Sequence, residues 1–283
     1  MINLLDYRKM VYNNIGNEGV IENILNVLGI EYGVFVEFGA MDGIKQSNCR
    51  RLFKKGWDGI FIERLWRDYK YLKRNYKKYE NIICLNEKIN IRGEKFFDKV
   101  IAPYLKNKNI DYCVISINGI DLEVFETFKR YMPTIICIHG GMFLHPFYDR
   151  VDISISSKLI QQSLSVMIES FEKRGYKILC SCQNTFFIKK EYYHLFNVSG
   201  DVLTLYCDGL RVLRDKIPYG KKTLDKVGLK NSIIDYVLDN SNYDKYGWKF
   251  RAEWAVEEKD IIIKSINEIE KKERNELTYK NHG

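Results

Sequence analysis

"GVFVEFGAMDG", residues 33–43, is a β-branched and aromatic run that breaks at Gly39 and then shows an acid, Asp42. Its first six residues (33–38) predict a short buried strand, and "GAMDG" predicts a turn at the strand's end. Outward from this stretch the pattern repeats. Before it, "NEGVIENILNVLGI" (17–30) has a helical stripe of Val20, Ile21, Ile24, Leu25 and Leu28, with Asn17 placed as its cap. After it come a helix at 47–57 with Ser47 as cap, a strand at 58–63, a helix at 66–79, a strand at 81–86 and a helix at 94–106. A strand at 111–117, a helix at 122–131 stopped before Pro133, and a strand at 134–139 continue the series. The stretch 140–154, "GGMFLHPFYDRVDIS", is too long for a routine connection, and loops of that kind tend to bind or cover ligands. A helix at 159–175 and a closing hairpin, "YKILCSC" with "NTFFIKK", follow.

Strands alternating with helices predict an α/β fold: a doubly wound, mostly parallel, Rossmann-like sheet of about seven strands. The hairpin supplies one antiparallel strand. Ligands of such sheets sit outside the C-terminal strand ends, at the switch in strand order. That places the turns at 39–47, 63–66, 86–92, 117–121 and 139–150 on one rim. Residues 1–199 are expected to form the ligand-binding domain and residues 200–283 a C-terminal helical extension.

A hydrophobic content of 46% with 29% charged residues is that of an ordinary globular chain of 283 residues. No window approaches the ~18 uncharged apolar residues of a membrane-spanning helix. The N-terminal stretch has no basic segment followed by an apolar one, so no secretory signal is expected. The 7 cysteines are an odd count; Cys84, Cys113, Cys137 and Cys180 fall in strand-like runs and read as small core residues. A reduced, cytoplasmic location is the expectation. The net charge of +8 comes largely from 49–78, where basic residues lie on two helices among apolar ones. A solvated helix face, a nucleic-acid groove and attraction to an anionic substrate all fit such a run.

The turn after the first strand has neither the G-x-G-x-x-G fingerprint nor a GK[ST] phosphate loop. Instead Glu37 and Asp42 bracket it, a charge that repels phosphates and suits a cationic ligand. Glu63 ends the second strand, where an acid accepts hydrogen bonds from ribose hydroxyls. An acid-bracketed glycine turn followed by a ribose-holding acid points to S-adenosylmethionine.

The stretch 33–63, "GVFVEFGAMDGIKQSNCRRLFKKGWDGIFIE", resembles the opening of the FkbM-type family of S-adenosylmethionine-dependent methyltransferases. That family reads as a strand, an E-x-G-A-x-D-G turn, S-N-T-R, and a G-W-x-G-hydrophobic-I-E strand. The likeness continues through "DYCVISINGIDLEVFETFKRYMPTIICI" and "QSLSVMIESFEKRGYKILCSCQNTFFIKK", covering about residues 17–195. The resemblance implies a sheet of the class I methyltransferase type. It also implies that Glu37, Gly39, Ala40, Asp42 and Gly43 line the methionine end of the cofactor, with Ser47 and Asn48 close by. Glu63 would hold the ribose, and the turn at Asn86 and Glu87 would lie near the adenine.

Family members end the fourth strand in a pattern like S-I-D-I-D-G-N-D and the fifth in I-E-Y-N. Here the corresponding stretches are "VISINGID" and "CIHGG". Ser116 and Asn118 stand where acids would be, on the cofactor side and the catalytic side respectively. Gly119 and Asp121 match, and His139 replaces the glutamate. His139 is then the candidate general base, with Asp121 to orient it or to bind the acceptor hydroxyl, and His145 as a second base. A divalent metal held by Asp121, His139 and the Asn118 carbonyl would be short of charge for Mg²⁺. The expected activity is O-methyl transfer to a sugar, nucleotide-sugar or surface-polysaccharide hydroxyl, with Trp66, Phe147 and Tyr148 as stacking surfaces for the acceptor. The rivals are a nucleic-acid methyltransferase, resting on the basic-aromatic helix at 64–79, and a non-catalytic cofactor-binding protein that has lost its carboxylates.

Overall fold

β1 (Val34–Phe38) is an interior strand of the sheet, and all five of its residues are buried. It pairs in parallel with β2 (Asp58–Ile62) on one side and with β4 (Tyr112–Ile115) on the other. The computed structural model describes residues 1–217 except 94, 106–107, 118, 143–145, 147–149 and 151–161. Asn118, His145, Phe147, Tyr148 and all of 218–283 therefore lie outside the described residues.

β3 (Ile82–Leu85), β5 (Ile135–His139), β6 (Tyr176–Cys182) and β7 (Asn184–Lys189) complete a seven-stranded sheet in the order β3-β2-β1-β4-β5-β7-β6. β7 runs antiparallel to both of its neighbours, and the other paired strands are parallel. This is the doubly wound, Rossmann-like arrangement that the alternation predicts. The chain winds outward through β2 and β3, then returns to β4 beside β1, so the switch point lies between β1 and β4.

The helices are α1 (Asn17–Leu28), α2 (Arg50–Lys54), α3 (Trp66–Tyr76), α4 (Phe97–Leu105), α5 (Asp121–Glu126), α6 (Leu164–Glu172) and α7 (Val202–Lys216). Right-handed crossovers put those linking β1, β2 and β3 on one face and those following β3 on the other. Alternation along β1 decides which side chain meets which layer. Phe35 packs on Phe61, which meets Tyr76 of α3, whereas Phe38 packs on Phe97 of α4 and on Phe128. On that second face Phe125, Phe171 and Phe187 form a stack with 3.7 Å between successive rings. Each buried ring stabilises by about 1.5–3 kcal/mol relative to exposure.

Three local expectations are corrected. Asn17 does not cap α1; Gly16 does, and Asn17 is the helix's first residue, buried at 2% exposure with its amide turned to Asn48. The helix expected at 47–57 is the five residues of α2, because Ser47 and Asn48 are tied back to β1. The helix expected at 122–131 starts at Asp121 and ends at Glu126. All 7 cysteines are free, and Cys84 is half-buried rather than in the core. Among the described residues no helix is long and apolar enough to cross a membrane.

Candidate functional site

The loops that leave β1 and β4 meet at the switch point. Gly39 takes φ +70°, and a Cβ there would lie 2.0 Å from the carbonyl oxygen of Ser116. Only glycine combines that backbone with so close an approach. The amides of Gly39 and Ala40 both donate to the Ile62 carbonyl, at 3.0 and 3.3 Å, so the β1 turn is bonded to the end of β2.

Glu63 follows directly and is 4% exposed. One of its oxygens accepts from the Met41 amide at 2.9 Å and the other from the Leu65 amide at 2.7 Å. A carboxylate has about four lone-pair directions, so each oxygen retains capacity for another donor. Asn86 lies on the far side: its amide donates to the Glu63 and Arg64 carbonyls at 2.8 and 3.2 Å. Asn86 therefore holds the β2 and β3 ends together. Met41, Leu65 and Trp66 stand exposed around Glu63, at 48%, 45% and 61%.

The other two acids of the first turn are directed inward. Glu37 shares the parity of Phe35, facing α2, and is 2% exposed. It accepts from the Ser47 hydroxyl at 2.7 Å and the Asn48 amide at 2.8 Å. Burial raises its carboxyl to about 7. Asp42 folds back on its own turn, accepting from the Ile44 and Lys45 amides at 2.9 and 2.8 Å. Glu37, Ser47 and Asn48 thus fix the loop's return, and Asp42 fixes its bend. Asn75 donates to the Asp42 carbonyl and the Tyr76 hydroxyl to that of Gly43, which anchors the turn to α3.

A second clasp comes from the N-terminal segment. Asn48 Oδ1 accepts from Asn13 at 3.1 Å and from Asn17 at 2.7 Å. Glu18, fully buried, accepts from the Asn13 amide at 2.8 Å and from that of Tyr12. The Gln46 amide donates to the Tyr12 carbonyl at 3.0 Å. Sequence reading missed Asn13, Glu18, Gln46 and Asn75. The one visible signal was Asn17 and Glu18, two polar residues at the start of a helix with an apolar stripe.

On the acceptor side, Asp121 is 3% exposed and does not orient His139. Its oxygens accept from the Ile117 amide at 2.8 Å and the Gly119 amide at 2.9 Å, closing the loop after β4. Burial pushes its carboxyl up to about 7. His139, half-buried at the end of β5, is pulled down to about 4 by desolvation. An imidazole of that pKa is neutral at pH 7. Across the ladder His139 pairs with Asn184, which is 4% exposed. Among the described residues the side-chain oxygens of Asn184 and its neighbour Gln183 are buried without a hydrogen-bond partner. Native proteins leave such groups unmatched where a ligand completes them or water intervenes. Ser116 is half-buried at the end of β4.

Among the described residues no three His, Cys, Asp or Glu side chains group to hold a metal ion. A cavity of 470 Å³ opens beside this rim, along the β3 edge of the described sheet, lined by Tyr69, Asn86, Glu87, Lys95, Lys99 and Tyr104 among others.

No family model matches the chain, and no curated protein matches it. Solved structures are similar to it at low identity. The CurJ carbon methyltransferase matches at 10% identity over 66% of this chain and 56% of that one, with a TM-score of 0.41. An SAM-dependent methyltransferase from Aquifex aeolicus matches at 12% identity over 59% and 86%, with a TM-score of 0.37. The N-terminal domain of EvdMO1, crystallised in the presence of SAH and D-fucose, matches at 8% identity over 64% and 84%, with a TM-score of 0.43. The chain spans little more than half of the first of these. The sheet order rests on its own strand registers and not on these scores.

Proposed function

We propose that this chain is an S-adenosylmethionine-dependent O-methyltransferase whose acceptor is a sugar, nucleotide-sugar or surface-polysaccharide hydroxyl. The observation that carries the reading is Glu63: a buried carboxylate at the end of β2, bonded to the glycine turn of β1 at the switch point, with lone pairs to spare. A ribose diol needs such an acceptor. When bound, the cofactor supplies an electrophilic methyl group.

The chain's own residues position the partners. Glu63 takes the ribose hydroxyls, and the backbone of Gly39–Gly43 forms the floor beneath the amino-acid end. The unmatched oxygens of Asn184 and Gln183 are acceptors for O–H donors, as a polyhydroxyl acceptor offers. His139, neutral at pH 7, can hydrogen-bond the reacting hydroxyl and fix its lone pair in line with the methyl group. Rate then comes mainly from alignment, with little contribution from a strong base.

Calorimetric titration with S-adenosylhomocysteine tests the reading on the wild type and on Glu63→Ala, each checked for native melting. Micromolar binding, weakened at least tenfold (about 1.4 kcal/mol) by the substitution, is expected. Absence of binding by folded wild type overturns the cofactor, and equal binding by both proteins removes Glu63 from the site. Methyl counting over a panel of sugar nucleotides then identifies the acceptor.

A further inference from the structure

We propose that the outward face of α3 is a binding surface for single-stranded nucleic acid. In this helix Leu72 and Tyr76 are buried, and Asp68, Tyr69 and Asn75 are half-buried. The six exposed positions are Trp66, Arg67, Lys70, Tyr71, Lys73 and Arg74, so each is cationic or aromatic. Arg64, Lys77 and Lys78, also exposed, extend the face at both ends. Of these seven cations, only Arg67 has a carboxylate in reach among the described residues, Asp68 at 3.1 Å.

Such a face works against its own helix. A solvated face gains from alternating Glu and Lys three or four residues apart, and like charges at that spacing destabilise by similar amounts. Here Arg67, Lys70 and Arg74 follow at three and four, as do Lys70, Lys73 and Lys77. A polyanion laid along the face reverses the sign of every one of these terms and releases its counterions.

The aromatics narrow the choice of polyanion. Trp66 is 61% exposed and Tyr71 47%, with Arg74 seated 4.9 Å over the Tyr71 ring. At 100° per residue the two rings flank a stripe made of Arg67, Lys70 and Arg74. Flat rings beside a cationic track are what unpaired bases stack on while their phosphates follow the charges. A membrane surface would need apolar side chains along the centre of the face, where α3 carries its arginines. The helix starts three residues after Glu63, so the track ends at the rim of the candidate site. The inference rests on this surface alone and does not depend on the cofactor reading.

Fluorescence anisotropy with a labelled single-stranded oligouridine is the test. Affinity should fall about 100-fold between 50 and 200 mM salt, the loss for about five phosphate contacts. The triple variant Arg67→Glu, Lys70→Glu, Arg74→Glu should lose at least 100-fold. Trp66→Ala should lose about tenfold, and Lys129→Glu, in the opposite helix layer, should bind like wild type. If the triple variant melts early, Lys70→Glu with its reduced salt slope replaces it. No binding at 50 mM salt, binding that ignores these substitutions, or tighter binding to heparin or to phosphatidylserine vesicles than to the oligonucleotide overturns the proposal. Because S-adenosylhomocysteine titration needs no nucleic acid, failure here and failure of the cofactor reading are separately visible.

Discussion

Glu37 shows how a single carboxyl can be fixed by packing and still be misjudged from its neighbours in sequence. In one dimension it stands beside a glycine turn and invites a ligand. In the sheet it shares the side of Phe35, so it meets Ser47 and Asn48 in a closed interior. Parity was available in the sequence; which layer each parity faces was not. With its folded pKa raised to about 7, Glu37 holds a proton that the unfolded chain has lost above about pH 4.5. Stability from this group is therefore greatest below the unfolded pKa and falls as pH rises toward 7. Glu37→Gln should flatten that fall, so that wild type loses about 2 kcal/mol more than the variant between pH 5.5 and 8 in urea melts. Parallel pH curves for the two proteins would show that Glu37 is ionised throughout. For His139 the place at a strand end was legible, whereas the desolvation that lowers it to about 4 depends on surroundings no local pattern reveals.

Among the elements, the strands were the most legible, since each is a short β-branched and aromatic run bounded by turn residues. Helix limits were less so. α2 begins late because side chains from β1 and from the N-terminal segment hold residues 46–48 in an open turn, and such long-range bonds have no signature at the helix itself. Asn48 is the hub of that arrangement. Asn48→Ala removes the acceptor of the buried Asn17 amide and one of the two acceptors of the Asn13 amide, at a cost of about 1–3 kcal/mol. A loss of this size in urea melts, together with weaker S-adenosylhomocysteine binding, is expected. Unchanged cofactor affinity in a destabilised variant would separate the clasp from the ligand.

Over the whole molecule, α7 closes the far edge of the sheet by lying on β6. Gly209 allows that approach, since a Cβ there would come within 2.2 Å of the Ser181 carbonyl oxygen. In an exposed helix Gly→Ala ordinarily stabilises by about 0.5–1 kcal/mol. Gly209→Ala should instead destabilise by about 1–3 kcal/mol, the range for overpacking, and lower the thermal midpoint. A raised midpoint would mean that α7 rides higher on the sheet. Neither this contact nor the sheet's order of neighbours was legible beyond the general rule for alternating strands, because both depend on which elements lie adjacent in space.

That order also has a consequence in time. Among the described residues β6 pairs with β7 and with no other strand, although β7 follows it in the chain. A ribosome that has delivered residues up to Cys182 has delivered a strand with no neighbour to bond. The parallel half of the sheet can assemble in the sequence in which it is made, whereas its last two strands must enter together, as a hairpin, once Lys189 has emerged.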